Sequence, residues 1–552
     1  MSLSDALSPN SNTALLESVE YWRDLVREQQ KVIEIQQQQI EALTVKFQQQ
    51  EKRIEQLESE IRTYKKLKGK PQLSASQLNE QTEASPPGQK RAGSAKRSKK
   101  LDFKVDEERK IQPQEIPDPS KFNGYRSYDV QEIEFQRRNI RFQLAEYVTP
   151  DGTTVVGKLP KGFQSGHFGP KLVSYILYQH YQCRVPQPLI YEQLRDVGIE
   201  LSVGQINRIL TEEITPFEGE QQDVLQIGLE TAQYIHTDDT GAKHQGKNGV
   251  CTVIGNEYFA YFKSSDSKSR RNFLEVLQGP SVSYILNDAA RTYLKQQSLA
   301  DKYWLQLVFS ERPIALSQGE WDAYLSNQGI VSVQAVRSLT EAALLGGLMS
   351  QGVSGTLRIL SDGAGQFNLL NHGLCWVHIE RGLRKLSGHS QGQRRDITEM
   401  QDLLWQYYQQ LKQYKENPSD VFKSELWHQF DQIFGRCYRD KTELNRVLHH
   451  IRDHKVELLQ VLDYPKLPLH NNAAETDIRE YVTRRKISGG TRSDAGRIAR
   501  DIFVGLKKTC RKLGVSFWDF LMSRAYSDDE VPLLPDMIRI KASVTSELAI
   551  SI

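Results

Sequence analysis

Three acidic residues stand where a carboxylate could do more than face solvent: Asp238 in IHTDDTG, Asp362 in ILSDGAGQF and Glu475 in LHNNAAETDIREYVTRRK. The first two close β-rich runs, and the third falls in the first turn of an amphipathic helix. In a mixed α/β sheet, acids at neighbouring strand ends and on a helix crossing them can converge at one sheet edge. Carboxylate oxygens gathered in this way suit hard divalent cations such as Mg²⁺, and two ions ~4 Å apart can activate a nucleophile and stabilise the leaving oxygen in phosphoryl transfer. Each acid also has a plainer reading. Asp238 and Asp239 can open a turn before Gly241, Asp362 an Asx-turn before Gly363, and Asn472 with Glu475 fits a reciprocal N-cap. Asp288, in ILNDAARTYL, ends a β-like run as well and competes with Asp362.

The elements that must carry these acids begin after Gln233. QYIHTDD, GVCTVIGN and YFAYFKSS, separated by GAKHQGKN and a tight Asn256-Glu257 turn, predict a three-strand antiparallel meander. SRRNFLEVLQG reads as a helix, and SVSYILND and TLRILSD as further strands. The stretches from Asp288 to Gly352 and from Trp376 to Leu462 are largely helical in pattern, and AGRIARDIFVGLKKTCRKLG is the last helix.

Upstream, GPKLVSYILYQHYQ predicts one helix, and LIYEQLRDVGIELSVGQINRILTE predicts a helix, a turn at Gly198, an N-cap at Ser202 and a second helix. As a helix-turn-helix, the second helix would offer Gln205, Asn207 and Arg208 to base edges or phosphates; as an ordinary helix pair it would only pack. From Val19 to Ile61 an apolar residue recurs at every seventh position, which predicts a coiled-coil dimer, or else a long helix packed on its own protein. Half of the companion seam is polar.

The 552 residues carry a formal net charge of +3, but Lys65 to Lys104 holds eleven Lys/Arg against three acids. This Pro-, Gly-, Ser- and Lys-rich tract reads as a disordered linker whose KRSKK, with Lys96 and Arg97, can bind phosphates. A second basic segment, Thr476 to Lys512, has eleven Lys/Arg against four acids, so Arg479, Arg484, Arg485 and Lys486 are expected to hold phosphates beside Glu475. The five cysteines lack paired spacing, which argues against a disulfide framework and fits a reducing, cytoplasmic setting. No run approaches the ~20 apolar residues of a membrane span, and the N-terminus does not read as an export signal.

Four pieces, HTDDTG, SDGAGQF, CWVHIER and LHNNAAETDIREYVTRRKISGGTRSDAG, give the chain from about Gly169 to Leu521 a resemblance to bacterial insertion-sequence transposases of the family numbered sixty-six. The resemblance implies an α/β, RNase H-like mixed sheet with helical insertions, bearing the acidic triad Asp238, Asp362 and Glu475. It favours Asp362 over Asp288, because SDGAGQF is soon followed by CWVHIER. Asp239 stands where the family often has Glu, and is a substitute ligand on that reading. A cysteine-rich zinc module common in the family cannot be built here, since no Cys precedes Cys183, and Cys375 with His378 lacks two further zinc ligands. Cys375, His378, Asn471 and Asn472 are expected to shape the site.

The expected organisation is a coiled coil over 15–68, a basic linker over 69–120, a helical DNA-binding region over 121–228, a catalytic domain over 229–525 with insertions at about 289–352 and 386–462, and a tail over 526–552. The expected activity is strand cleavage and strand transfer at transposon ends and target DNA, with two Mg²⁺ ions or substituting Mn²⁺, in a nucleoid-associated homodimer or larger assembly served by accessory proteins of the same element. Two rivals are a nuclease that does not join strands and a dimeric DNA-binding regulator without catalysis.

Overall fold

The computed structural model describes residues 105–544 apart from short breaks, the backbone of 545–550, and a few helical residues between Val26 and Ile40. The chain divides into two compact units, Met1–Ala75 and Ser76–Ile552. In the first, Val26, Ile33 and Ile40 of the predicted seam are helical and exposed. The rest of the predicted coil, and the tract with Lys96 and Arg97, lie outside the described residues.

In the second unit, the stretch expected to be helical from residue 121 instead starts with irregular chain and a small hairpin, β1 (Glu146–Val148) and β2 (Thr154–Val156). Its turn, Pro150-Asp151-Gly152, has Gly152 at φ 83°, and the β-branched residues on either side favour extended backbone. Helices begin at Pro170 and run Pro170–Tyr181, Gln187–Asp196, Val203–Thr211 and Thr215–Thr231. The predicted turn at Gly198 has φ 74°, and Ser202 caps the third helix in a capping box with Gln205.

The main sheet contains β3 (Tyr234–His244), β4 (Lys247–Gly255), β5 (Ala260–Ser265), β6 (Arg358–Ser361) and β7 (Asn371–Leu374), in spatial order β5-β4-β3-β6-β7. The meander β3-β4-β5 is antiparallel, whereas β6 runs parallel to β3 and β7 parallel to β6. GAKHQGKN is not a loop. Gln245 and Gly246 both take positive φ and make a two-residue hairpin turn, so β3 continues to His244 and Asp238 lies mid-strand rather than at its end.

SVSYILND is not a strand of this sheet. Tyr284 makes an isolated bridge with Leu316, and Ile285 N donates to Ala343 O at 2.9 Å on the helix Val333–Ser350. Gly346 and Gly347 on that helix admit the segment: a Cβ at Gly346 would stand 2.0 Å from the Ile285 oxygen. The place expected for this strand is taken by β7, whose sequence NHGL carries no β-branched residue.

One face of the sheet, with Ile235, Ile254 and Ile359, shares a core with the helices at 170–231, 270–278 and 333–350. The helix pair at 187–211 therefore belongs to the same core as the sheet. On the other face, Ala242, Cys251, Val253 and Phe262 pack against Ala474, Ile478, Tyr481 and Val504. The helices between Trp376 and Asp463 have a hydrophobic core of their own, around Trp376, Tyr407, Phe430 and Phe434. Residues 534–550, expected within a tail, form a helix whose Leu534 and Ile538 are buried in the main core.

Candidate active site

β-Strand alternation decides which acids can meet. Asp238 is in register with Val253 of β4, on the face that packs against the helix Asn472–Ser488. The parallel register pairs His236 with Leu360, and carrying it on by two residues sets Asp238 beside Asp362, which directly follows β6. The electrostatics agree with that geometry. The Asp238 carboxyl is pushed up to about 7 by burial and by the negative charges of Asp362, Asp239 and Glu475, against a lowering hydrogen bond from the Asp239 amide at 2.8 Å. Asp362 makes the expected Asx-turn, accepting from Ala364 N at 3.0 Å, and is exposed.

Glu475 reaches this place on a helix pinned at its start. Asn471, fully buried, donates from Nδ2 to Thr237 O at 2.8 Å, one residue before Asp238, while its own backbone N–H donates to Cys375 Sγ at 3.1 Å. The helix begins at Asn472 with Asn471 as N-cap and no side-chain cap bond, so Glu475 is the fourth helical residue rather than the N3 partner of a capping box. Further along, Asp477 pairs with His236 at 3.3 Å and Lys512 at 2.8 Å, and Glu480 with Lys507 at 2.6 Å and Arg184 at 2.7 Å. Burial works to raise the Asp477 carboxyl, but its bond to His236 and the charge of Lys512 outweigh burial and hold it below the ordinary range. These buried pairs fix the helix against β3 and the helix Asp494–Leu513.

Asp239 has the opposite orientation. By alternation it leaves the face of Asp238, and its carboxylate is taken by Lys268 and by Gln366 Nε2, the latter at 2.6 Å. Arg270 donates to Gly365 O at 2.9 Å, so the segment at 268–270 holds both Asp239 and the loop that follows Asp362. Asp288 begins the helix Asp288–Lys295 with a solvent-exposed side chain, and so loses its claim to a strand end.

The CWVHIER motif forms the second wall. Cys375 is a buried thiol, raised to about 11 chiefly by burial, and it anchors the Asn471 backbone. His378 Nε2 lies 3.8 Å from Glu475 Oε1, and burial lowers its basicity. Arg381, which sequence reasoning did not single out, faces Glu475 with both arms, NH1 to Oε1 at 2.9 Å and NH2 to Oε2 at 3.5 Å. Its only sequence signal was its place three residues after His378 on one helix face.

Among the described residues, no group of three or more His, Cys, Asp or Glu side chains stands ready to hold a metal ion. The donor chemistry nevertheless suits a hard cation. Asp238 and Asp362 bring carboxylate charge together at a partly buried point, and the burial and negative charges that raise Asp238 are what an added cation would offset. Glu475, the third acid, is occupied by Arg381.

The expected DNA contacts divide by exposure. Asn207, Arg208, Arg479 and Lys486 are exposed, with Arg208 near Glu212 at 3.6 Å. Gln205 is committed to the capping box through a 2.7 Å bond from Ser202 N. Arg485 donates to the Gly241 carbonyl oxygen of β3. Arg484 is buried, donating to His180 O at 2.7 Å with its guanidinium 4.8 Å from the Tyr181 ring centre; burial brings its pKa down to about 10. Arg484 thus holds the fold together rather than facing a phosphate.

Residues 165–303 and 341–499 match the family described as Transposase IS66 family, and the matched spans include Asp238, Asp362 and Glu475. The chain is also 43% identical over 310 residues, 56% of its own length and 96% of the relative's, to a protein of Sinorhizobium fredii (strain NBRC 101917 / NGR234) described as uncharacterized protein y4jO.

Proposed function

Because the chain belongs to the Transposase IS66 family, we propose that it cleaves and joins DNA strands with Asp238, Asp362 and Glu475 as a carboxylate triad on an RNase H-like sheet. The observation that carries this reading is the parallel β3-β6 register, which brings Asp238 and Asp362 side by side although 124 positions separate them in sequence. The strand order β5-β4-β3-β6-β7, an antiparallel meander followed by two parallel strands, supports the RNase H-like reading.

Asp238 and Asp362 would hold the divalent cations, Mg²⁺ or Mn²⁺, with Glu475 as the third ligand. Bound there, two cations supply Lewis acidity and neutralise the charge that builds up on a phosphodiester undergoing attack. The chain's own residues do the rest by positioning: Asn471 fixes Glu475 relative to β3, Gln366 and Lys268 keep Asp239 turned away, and Arg270 steadies the loop after Asp362. Arg479 and Lys486, exposed on the same helix as Glu475, hold DNA phosphates, and Asn207 with Arg208 reaches the duplex from the helix-turn-helix. The coil over 15–68 pairs two copies, and the tract with Lys96 and Arg97 tethers them to DNA.

The test is an end-labelled oligonucleotide carrying the element's own terminus, incubated with the full chain, target plasmid and Mg²⁺. Cleaved ends together with joined product support the reading. Cleavage without joining identifies a nuclease instead, and specific binding that survives chelation without any cleavage identifies a regulator.

A further inference from the structure

Among the described residues, Glu475 is the member of the proposed triad that has an Arg or Lys partner. Arg381 covers both of its carboxylate oxygens, at 2.9 and 3.5 Å, while Asp238 and Asp362 have no Lys or Arg ion pair among the described residues. Each wall of the site is anchored separately from this contact. The helix of Glu475 is held by Asn471 on Thr237, by Asp477 between His236 and Lys512, and by Glu480 on Lys507. The helix of Arg381 is held where Cys375 accepts from Asn471 N and where Trp376 N donates to Leu469 O at 3.0 Å. Neither helix thus depends on the Arg381–Glu475 pair for its position. The pair is partly solvent-exposed, at 36% for Arg381 and 21% for Glu475, so exchange of one partner is not blocked by burial.

A guanidinium set against both oxygens of a carboxylate occupies part of their lone pairs and repels a cation approaching the same group, so the two compete for it. We propose that Arg381 is a displaceable counter-ion: it holds Glu475 in the cation-free protein, competes with the divalent ion for that carboxylate, and once released turns its guanidinium to a DNA phosphate. On this view Arg381 acts on Glu475 before the cation binds and on the substrate phosphate afterwards. The inference rests on the triad reading above, and the experiment separates the two.

Mn²⁺ is titrated calorimetrically into the full chain without DNA, for the wild type, R381Q, R381K and D238N, with thermal unfolding as a control on folding. An exposed ion pair is worth up to about 1 kcal/mol, so freeing Glu475 in R381Q is expected to tighten Mn²⁺ about fivefold. R381K, which keeps the charge but not the fork, falls between R381Q and wild type. Strand cleavage by R381Q falls although its cation binds more tightly, a combination that simple loss of structure does not produce. Should R381Q not fold, a tighter Mn²⁺ in R381K than in wild type carries the same conclusion. Mn²⁺ affinity unchanged or weaker in the folded variant overturns the counter-ion role, provided that D238N loses Mn²⁺ binding. Wild-type binding that D238N leaves intact overturns the triad itself, and the role of Arg381 with it.

Discussion

The side-chain amide of Asn471 donates to the carbonyl oxygen of Thr237 at 2.8 Å, joining the residue before the glutamate-bearing helix to the residue before Asp238. This buried bond joins the elements that carry two acids far apart in sequence, beside the ion pairs of Asp477 and Glu480, and the thiol of Cys375 accepts from the backbone of the same asparagine.

Asn471→Ala should cost about 1–3 kcal/mol, since it leaves the Thr237 oxygen buried without that donor. Chemical denaturation measures the loss. Strand cleavage at a temperature where the variant remains folded should fall further than DNA affinity; an equal fall in both would place the bond outside the site's geometry.

Glu475→Gln removes a charge but keeps the shape of the side chain. Folding and DNA binding should persist, while cleavage falls by about 10²–10³, the effect of losing several kcal/mol of transition-state stabilisation. Cleavage at the wild-type rate in Mg²⁺ would take Glu475 out of the triad.

Asp238 gives the cation-free protein a pH dependence of known sign. Its carboxyl, raised to about 7 in the fold, is lower when the chain unfolds, so the folded state binds the proton more tightly. The resulting stability is present in full below pH ~3.8 and is lost as pH rises to about 7. In chelator, Asp238→Asn should therefore melt higher than wild type at pH 8, with the difference shrinking as pH falls from about 7 to about 3.8. A melting difference that does not vary over this range would contradict a carboxyl raised by burial and by the neighbouring acids.

Arg484 and its neighbours on the same helix should behave oppositely. Arg484→Gln removes a buried guanidinium from the His180 oxygen and the Tyr181 ring, and should destabilise the protein by about 3 kcal/mol without altering the salt dependence of DNA binding. Lys486→Gln should leave stability within about 0.5 kcal/mol and lower the slope of log affinity against log salt by about 1. Fluorescence anisotropy across a salt series, beside denaturation curves, tests both.

Short β-rich runs between turn segments made the β3-β4-β5 meander legible, and helical spacing with a glycine and a serine cap made the helix pair at 187–211 legible as well. What failed did so for local reasons. SVSYILND has a strand's pattern, but glycines 346 and 347 let its backbone lie against a helix, and nothing in the segment itself reveals a partner sixty residues away. NHGL has almost no strand signal, and it pairs because β6 offers an open edge. Arg484 and Arg485 are adjacent in sequence and differ by one step of helical rotation, which turns one toward Tyr181 and the other toward β3. The acids themselves were readable as candidates, whereas the ion pair on Glu475 depends on how two distant helices cross.

At residue 375 the chain leaves the sheet, and it comes back at 469, where the hydrogen bond from Trp376 to Leu469 closes the excursion. Most of the described helices between them pack around a hydrophobic interior of their own. Such a doorway makes the helices beyond Arg384 an interchangeable module: another bundle of different length could be spliced in between the helix of His378 and Arg381 and the return at Leu469, and the distance from Asp238 to Glu475 would not register the exchange.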